Sequence, residues 1–253
     1  MVMKTKKIKN GLLLRPETKE IKACLLWIHG GGYITGFASM VHMSRAKNLV
    51  EKFGVLVLSP EYRILPYPIP LEDCIESLKY LYEIAQSLQV PLFVGGESAG
   101  GGLCVACCLY ARDHLNIKID YQFPLYPMIS HLDTPSSKDN HALVWNTYWN
   151  HRGWKYYLSD CKDKVSKYAS PSLETDYSSL PPAYTFVSEK EPFYCETLDY
   201  IAALQKAGIK AHVDIYPNYF HAFDMLLPKV KQSKKAIEKF ENEFEKILQQ
   251  FNK

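Results

Sequence analysis

A chain of 253 residues, 47% of them hydrophobic, has the length and apolar content for one large α/β domain with a substantial core, and a disordered chain is excluded. A net charge of +3, with its lysines spread through both ends rather than clustered with aromatics, excludes a nucleic-acid-binding surface as the organising feature. No apolar run is long enough to cross a membrane, so a soluble, cytoplasmic protein is expected.

The start, Met1 to Lys9, is basic, and only Leu12, Leu13 and Leu14 follow before Arg15 and Pro16, far short of a signal-peptide core. The strands then announce themselves as short, nearly continuous apolar runs, the pattern of parallel strands covered on both faces: Cys24 to Ile28 and Val55 to Leu58, with a helix over Met43 to Phe53 between them. Leu71, Cys74, Ile75, Leu78, Leu81, Tyr82 and Ala85 recur at helical spacing behind Pro70, with Pro91 beyond the helix end. A strand over Pro91 to Val94 follows, then a buried helix containing Leu103 to Leu109. Later strands are expected over Tyr121 to Leu125, Ala183 to Val187 and Ala211 to Tyr216, and helices over Cys195 to Lys206 and Val230 to Phe251. This alternation predicts a single α/β domain over 1–253, with a mostly parallel central sheet and helices on both faces.

Two features stand apart from that rhythm. Residues 132–168 are polar, carry Trp145, Trp149 and Trp154, and show helical spacing only around His141 to Leu158. They read as an insertion over the sheet, either a surface excursion packed down by its tryptophans or a lid walling a substrate pocket. Seven cysteines without an export signal read as free thiols in a reducing compartment. Cys104 and Cys107 form a C-x-x-C, but within an Ala/Leu/Val-rich helix and without a second ligand pair nearby in sequence; they read as packing residues, and no metal is expected.

The chemistry gathers around Gly96-Glu97-Ser98-Ala99-Gly100, where an apolar strand breaks into glycines about one serine and runs into a helix. This pattern is a nucleophile elbow: a serine on a sharp strand-to-helix turn needs small residues two before and two after it so that strand and helix can approach. Upstream, His29-Gly30-Gly31-Gly32-Tyr33 follows the Cys24 to Ile28 strand. Its glycines let backbone N–H groups face a developing negative charge, and Tyr33-Ile34 follows them where a phosphate loop would want a Lys and Ser/Thr.

With these motifs in this order, the chain resembles the α/β-hydrolase fold-3, hormone-sensitive-lipase-like carboxylesterases. Four blocks carry the resemblance: His29 to Tyr33; Glu61-Tyr62-Arg63-Ile64-Leu65-Pro66 with the residues through Cys74; Gly96 to Gly102; and the tail from Ser170-Pro171 to His221-Ala222-Phe223. The resemblance implies an α/β-hydrolase fold with Ser98 as nucleophile, His221 as general base and acid, and Glu191 orienting His221. The backbone N–H groups of Gly31, Gly32 and Ala99 would form the oxyanion hole. The chain departs from the family pattern in three places: a shorter segment before the HGGG loop, leaving the 132–168 insertion as the chief cover; Glu191-Pro192-Phe193 where Asp-Pro-Leu is usual; and His221-Ala222-Phe223 where His-Gly-Phe is usual. Glu189 is a second carboxylate beside Glu191, and the family's acid-then-proline pattern selects Glu191. Of the eight histidines, His29 is expected to anchor its own loop.

The expected reaction is two-step acyl transfer from a small-molecule ester, without a cofactor. Bulky Tyr33, Tyr126, Phe193 and Tyr194 beside the motifs predict a shortened pocket and a preference for short acyl chains. Two other readings use the same sequence: hydrolysis of an amide or formamide by the same triad, and a non-catalytic ligand-binding α/β-hydrolase. The sequence leaves the physiological ester and any homo-oligomerisation open.

Overall fold

The computed structural model describes residues 3–17, 20–162 and 164–251. Its strands are β1 (Met3–Ile8), β2 (Gly11–Pro16), β3 (Ala23–Ile28), β4 (Val55–Pro60), β5 (Leu92–Glu97), β6 (Tyr121–Leu125), β7 (Ala183–Ser188) and β8 (Ala211–Tyr216). The helices are α1 (Arg45–Phe53), α2 (Ile69–Leu88), α3 (Ala99–His114), α4 (Thr147–Tyr157), α5 (Tyr194–Lys206), the single turn α6 (Phe223–Leu226) and α7 (Lys231–Phe251).

The strands make one sheet in the order β1-β2-β4-β3-β5-β6-β7-β8, parallel from β4 to β8. All six residues of β3 are buried, and they divide by parity. Cys24, Leu26 and Ile28 join the cluster formed with α2, α3 and α5, whereas Ala23, Leu25 and Trp27 join the cluster formed with α1 and α7. This is why the strand reads as a continuous apolar run rather than an alternation: each face has its own helical layer. On α7, Phe240 and Phe244 lie one turn apart and pack on Phe123, with Trp27 edge-on to Phe240.

Local signals set the element ends. Ser44 caps α1 by accepting from the Ala46 N–H at 3.1 Å, and Gly54 closes that helix at φ 77°. Pro70 sits in the first turn of α2, where its missing N–H costs nothing.

The expectation of unbroken β-α alternation is corrected at the N-terminal end. There β1 and β2 form an antiparallel hairpin, and β2 adds antiparallel to β4. The physical reason is position: β1 is an edge strand whose residues 4–7 are all exposed, so Lys4, Lys6 and Lys7 carry no hydrophobic periodicity. Edge lysines also discourage pairing with another chain.

Parallel strands deliver their carboxyl ends to one edge of the sheet. The loop after β3 holds His29 to Tyr33, that after β5 holds Ser98, that after β6 holds Tyr126, that after β7 holds Glu191, and that after β8 holds His221. Residues of the 132–168 stretch pack on the first of these loops, with the Trp145 ring and Gly153 against Gly32. Helix α4 of that stretch is capped by Asn146, which accepts from the Trp149 N–H at 3.2 Å, and its own Trp154 and Tyr157 are buried. Trp145 is half-buried and Trp149 exposed, so one of the three insertion tryptophans is a core residue and the other two are not.

Candidate active site

Ser98 stands between β5 and α3 at φ 58° and ψ −121°, a strained conformation for a residue with a side chain. Three backbone hydrogen bonds hold it there. Its N–H donates to the Leu125 carbonyl at 3.0 Å, and its carbonyl accepts from Gly102 at 2.9 Å and Met128 at 3.0 Å. The flanking glycines are required by close approach: a Cβ on Gly100 would stand 2.1 Å from the Ile28 carbonyl oxygen, and one on Gly96 2.5 Å from the Gly100 carbonyl oxygen.

His221 enters from the loop after β8, with its Nε2 2.9 Å from Ser98 Oγ. Its Nδ1 bonds Glu191 Oε2, while Glu191 Oε1 accepts the Ser188 N–H at 2.7 Å. The Glu191 side chain is wholly buried, so the carboxylate has little freedom to turn away. A carboxylate can only accept; Nδ1 therefore carries the proton and Nε2 is free to accept from the Ser98 hydroxyl. Glu189 is exposed, and its backbone N–H pairs with the Tyr216 carbonyl at 3.1 Å. Of the two carboxylates the sequence offered, Glu191 is the one beside the imidazole.

Two aromatic rings meet that imidazole. Tyr126 lies 5.0 Å away at an interplanar angle of 81°, and Phe193 5.0 Å away at 86°. Both are fully buried, as is Tyr33, which stacks on Tyr157 and donates from its hydroxyl to the Met128 carbonyl at 3.0 Å. The expectation that these aromatics shorten the substrate pocket is therefore corrected: they are core residues that hold the loops, and Tyr194 is only half-buried. Placing each at the end of a parallel strand, rather than reading it as merely bulky, is the signal that finds the role of Tyr126.

The glycine loop is fixed by its carbonyls. His29 stacks on Tyr62 at 4.1 Å, and its Nδ1–H donates to the Gly30 carbonyl at 2.8 Å. Burial holds its pKa below the ordinary histidine value. In a trans peptide the C=O and the next N–H point in opposite directions, so tying down the Gly30 carbonyl turns the Gly31 N–H away from His29. The Gly31 carbonyl accepts from Ile34 and Thr35, both at 3.1 Å, and this turns the Gly32 N–H the other way in the same manner. The loop abuts the elbow: a Cβ on Gly30 would stand 3.3 Å from Ser98 Cβ. Ala99 begins α3, so its N–H is among those at the helix start that lack an intrahelical acceptor.

Beneath the elbow lies a buried polar group that sequence reasoning missed. Glu97 Oε2 accepts the Trp27 indole N–H at 2.9 Å, Asp224 Oδ1 accepts the Tyr126 hydroxyl at 3.1 Å, and Arg45 Nε lies 3.5 Å from Asp224 Oδ2. Desolvation, with Asp224 nearby, pushes the Glu97 pKa up to about 8, and burial raises that of Asp224. Nothing in the spacing of residues 45, 97 and 224 signals that they meet.

A groove of about 500 Å³ opens beside the loops of Glu191 and His221, lined in part by His141, Leu143, Lys190, Tyr219 and Phe220. Among the described residues there is no group of three or more His, Cys, Asp or Glu side chains placed to hold a metal ion. Cys104 and Cys107 lie buried in α3 within the core. A hydroxyl bonded to an imidazole, itself oriented by a buried carboxylate, is an arrangement that raises serine nucleophilicity.

Among the described residues, no helix is long and apolar enough to cross a membrane. A family model described as alpha/beta hydrolase fold matches residues 25–225. The chain is 28% identical over 211 residues to an ethyl acetate hydrolase of Pseudomonas putida, covering 79% of this chain and 66% of that one. It is 27% identical over 205 residues to an arylesterase of Saccharolobus solfataricus, covering 77% and 66%. The chain thus spans just under two thirds of the length of these curated relatives. Among solved structures it resembles a bacterial heroin esterase, with a TM-score of 0.87 and 28% identity over 94% of this chain and 82% of that one. A family match across four-fifths of the chain, on the fold and motif order described above, shows that this chain belongs to the α/β-hydrolase fold-3, hormone-sensitive-lipase-like family.

Proposed function

We propose that the chain is a serine carboxylesterase that hydrolyses short-chain acyl esters of small molecules. The observation that carries this reading is the continuous relay from Ser98 Oγ through the His221 ring to the buried Glu191, set against the glycine loop.

In the proposed reaction Ser98 Oγ attacks the ester carbonyl as its proton passes to His221 Nε2. Glu191 holds the Nδ1–H tautomer and stabilises the imidazolium that forms. The tetrahedral oxyanion is met by the N–H groups of Gly31, Gly32 and Ala99. His221 then returns the proton to the leaving alkoxide oxygen, and the alcohol departs. A water molecule, deprotonated by His221, attacks the acyl-enzyme, and collapse of the second oxyanion releases the acid and restores the Ser98 hydroxyl. No step calls for a cofactor. Seven free thiols suit a reducing, cytoplasmic setting.

The short-acyl preference rests on the insertion rather than on Tyr33, Tyr126 or Phe193. Ser98 is only 6% exposed, and Trp145 packs on the glycine loop beside it. Each further methylene that fitted would gain up to about 0.8 kcal/mol, so a closed pocket shows as a falling rather than a rising series. A panel of p-nitrophenyl esters from acetate to dodecanoate tests this, with the matching p-nitroanilides included. The expected result is a maximum of kcat/KM between acetate and butyrate and slower anilide hydrolysis. Activity rising steadily to dodecanoate would reject the short-acyl reading, and faster anilides would favour the amidase.

A further inference from the structure

Gly32 is gripped from two sides by the 132–168 insertion. A Cβ on Gly153, in the middle of α4, would stand 2.5 Å from the Gly32 carbonyl oxygen, closer than any side chain tolerates. A Cβ on Gly32 itself would meet the Trp145 ring at 1.9 Å from Cη2 and 2.6 Å from Cζ2. The insertion also holds the next residue, Tyr33, whose ring stacks on Tyr157 at 4.0 Å and lies 5.3 Å from that of Trp154.

The path of the chain into these contacts is costly. The Trp145 N–H donates to the Leu143 carbonyl at 2.9 Å across Val144, whose φ is 74°. That is a three-residue γ-turn of the rare kind, with a β-branched residue in the left-handed region, where its side chain is most crowded. Leu143 and Val144 are themselves 72% and 50% exposed, so burial of their side chains does not account for the turn. What the turn accomplishes is to bring the indole of Trp145 onto Gly32, with its Nε1–H directed at Asn150 Oδ1, a long contact at 3.5 Å. Strain that persists at one residue is held in place by the contacts around it.

From these contacts we infer that the insertion is a brace for the oxyanion loop, with Gly153 and Trp145 as positioning residues for the Gly32 N–H. The inference rests on the esterase reading, because only a developing oxyanion gives the direction of that N–H a chemical meaning. Gly32 has both of its peptide planes fixed. The Gly31 carbonyl is bound within the loop and aims the Gly32 N–H; the Gly32 carbonyl lies against the bare backbone of Gly153. Moving α4 by a few tenths of an ångström therefore moves the donor. A hydrogen bond to an oxyanion is strongest at about 2.7–3.1 Å, so a small displacement is felt at the transition state and far less in the ground state. On this account the insertion cannot swing away as a free flap without disturbing the donor it supports.

The test uses Gly153→Ala and Trp145→Ala, assayed on p-nitrophenyl acetate with active sites titrated by a fluorophosphonate. A trifluoromethyl ketone serves as the second readout: Ser98 Oγ adds to its carbonyl, the proton passes to His221, and the oxygen is left as an anion in the oxyanion hole. Gly153→Ala is expected to lower kcat per titrated site by about 10-fold or more, short of the 10²–10³ that follows complete loss of one donor. KM should change by less than about threefold, and the ketone Ki should rise by the same factor as kcat/KM falls. Trp145→Ala, which removes a contact instead of adding one, should lower kcat several-fold with the same parallel rise in Ki, and it keeps the inference testable if Gly153→Ala fails to fold. Lys155→Ala, exposed on the same helix, should match the wild type. Unchanged kcat in folded Gly153→Ala or in Trp145→Ala, or a loss of kcat without a change in Ki, would overturn the brace. A wild type that neither turns over the ester nor binds the ketone would instead overturn the esterase reading.

Discussion

The ring of Tyr126 stands edge-on to the imidazole of His221, while its hydroxyl donates to Asp224 Oδ1 at 3.1 Å. One side chain thus joins the proposed general base to the buried Asp224–Arg45 pair, and it does so from a strained backbone position, at φ 34°. The two ends of the side chain can be separated by mutation. Tyr126→Phe keeps the ring against His221 but takes from the wholly buried Asp224 the hydroxyl that donates to it. A loss of about 1–3 kcal/mol in urea unfolding is expected, with kcat per titrated site held within about threefold. Tyr126→Leu removes the ring edge as well, and its kcat should fall by at least a further factor of about ten. Equal kcat in the two variants would show that the ring does not steady His221.

Glu191 and Glu189 differ by two positions in sequence and by everything else in environment. Glu191 is buried on His221 Nδ1 and the Ser188 N–H, whereas Glu189 faces solvent. Glu191→Gln can present an N–H where the imidazole N–H needs an acceptor, which favours the wrong tautomer, so kcat should fall by up to about 10⁴ with little change in melting temperature. Glu189→Gln should stay within about twofold of the wild type. A large loss confined to the Glu189 variant, with kcat measured side by side, would move the orienting role to the other carboxylate.

Glu97 makes the stability of the fold depend on pH in a direction opposite to a surface ion pair. In the unfolded chain its carboxyl ionises near 4.5; in the fold, burial and then the nearby Asp224 raise this to about 8. Below pH 4.5 both states are protonated and Glu97 contributes no slope. Between 4.5 and 8 the unfolded state gives up the proton and the native state keeps it, so stability falls as pH rises, by up to ~1.4 kcal/mol for each pH unit. Above about 8 both states are ionised and the loss levels off. Glu97→Gln retains an acceptor for the Trp27 indole and has no proton to lose. Urea unfolding at pH 5 and pH 8 should therefore show the variant gaining on the wild type by more than 1 kcal/mol at the higher pH. Parallel behaviour at both values would show that Glu97 is already ionised in the native state.

Much of this molecule was legible in its sequence because parallel strands covered on both faces leave a simple mark. Cys24 to Ile28 and Val55 to Leu58 read as strands since every side chain in them is buried, and Tyr121 to Leu125 and Ala211 to Tyr216 match the observed strands residue for residue. The hairpin of β1 and β2 was not legible: an exposed edge strand whose middle is Lys4-Thr5-Lys6-Lys7 has no buried face to create a pattern. Ser98, Glu191 and His221 were found through motifs, and the fold brings all three within hydrogen-bonding reach. The roles of Tyr126 and Phe193 were misread because bulk next to a motif does not say which way a ring points. The meeting of Arg45, Glu97 and Asp224 arises from the crossing of elements far apart in sequence, and composition is silent about such contacts. The grip of Trp145 and Gly153 on Gly32 is of the same kind, legible only once α4 is laid on the loop.

The central claim, that Ser98 is the nucleophile, is tested most directly by fluorophosphonate labelling of the wild type and Ser98→Ala, with p-nitrophenyl acetate hydrolysis measured on the same samples. The replaced hydroxyl makes its side-chain hydrogen bond to His221 and none that holds the elbow, whose strained turn is tied by backbone groups. The variant should therefore fold with an unchanged circular dichroism spectrum. The account predicts one label per wild-type chain, none on Ser98→Ala, and hydrolysis reduced by at least about 10³. Labelling at another residue, or a Ser98→Ala protein that hydrolyses the ester at the wild-type rate, would contradict it.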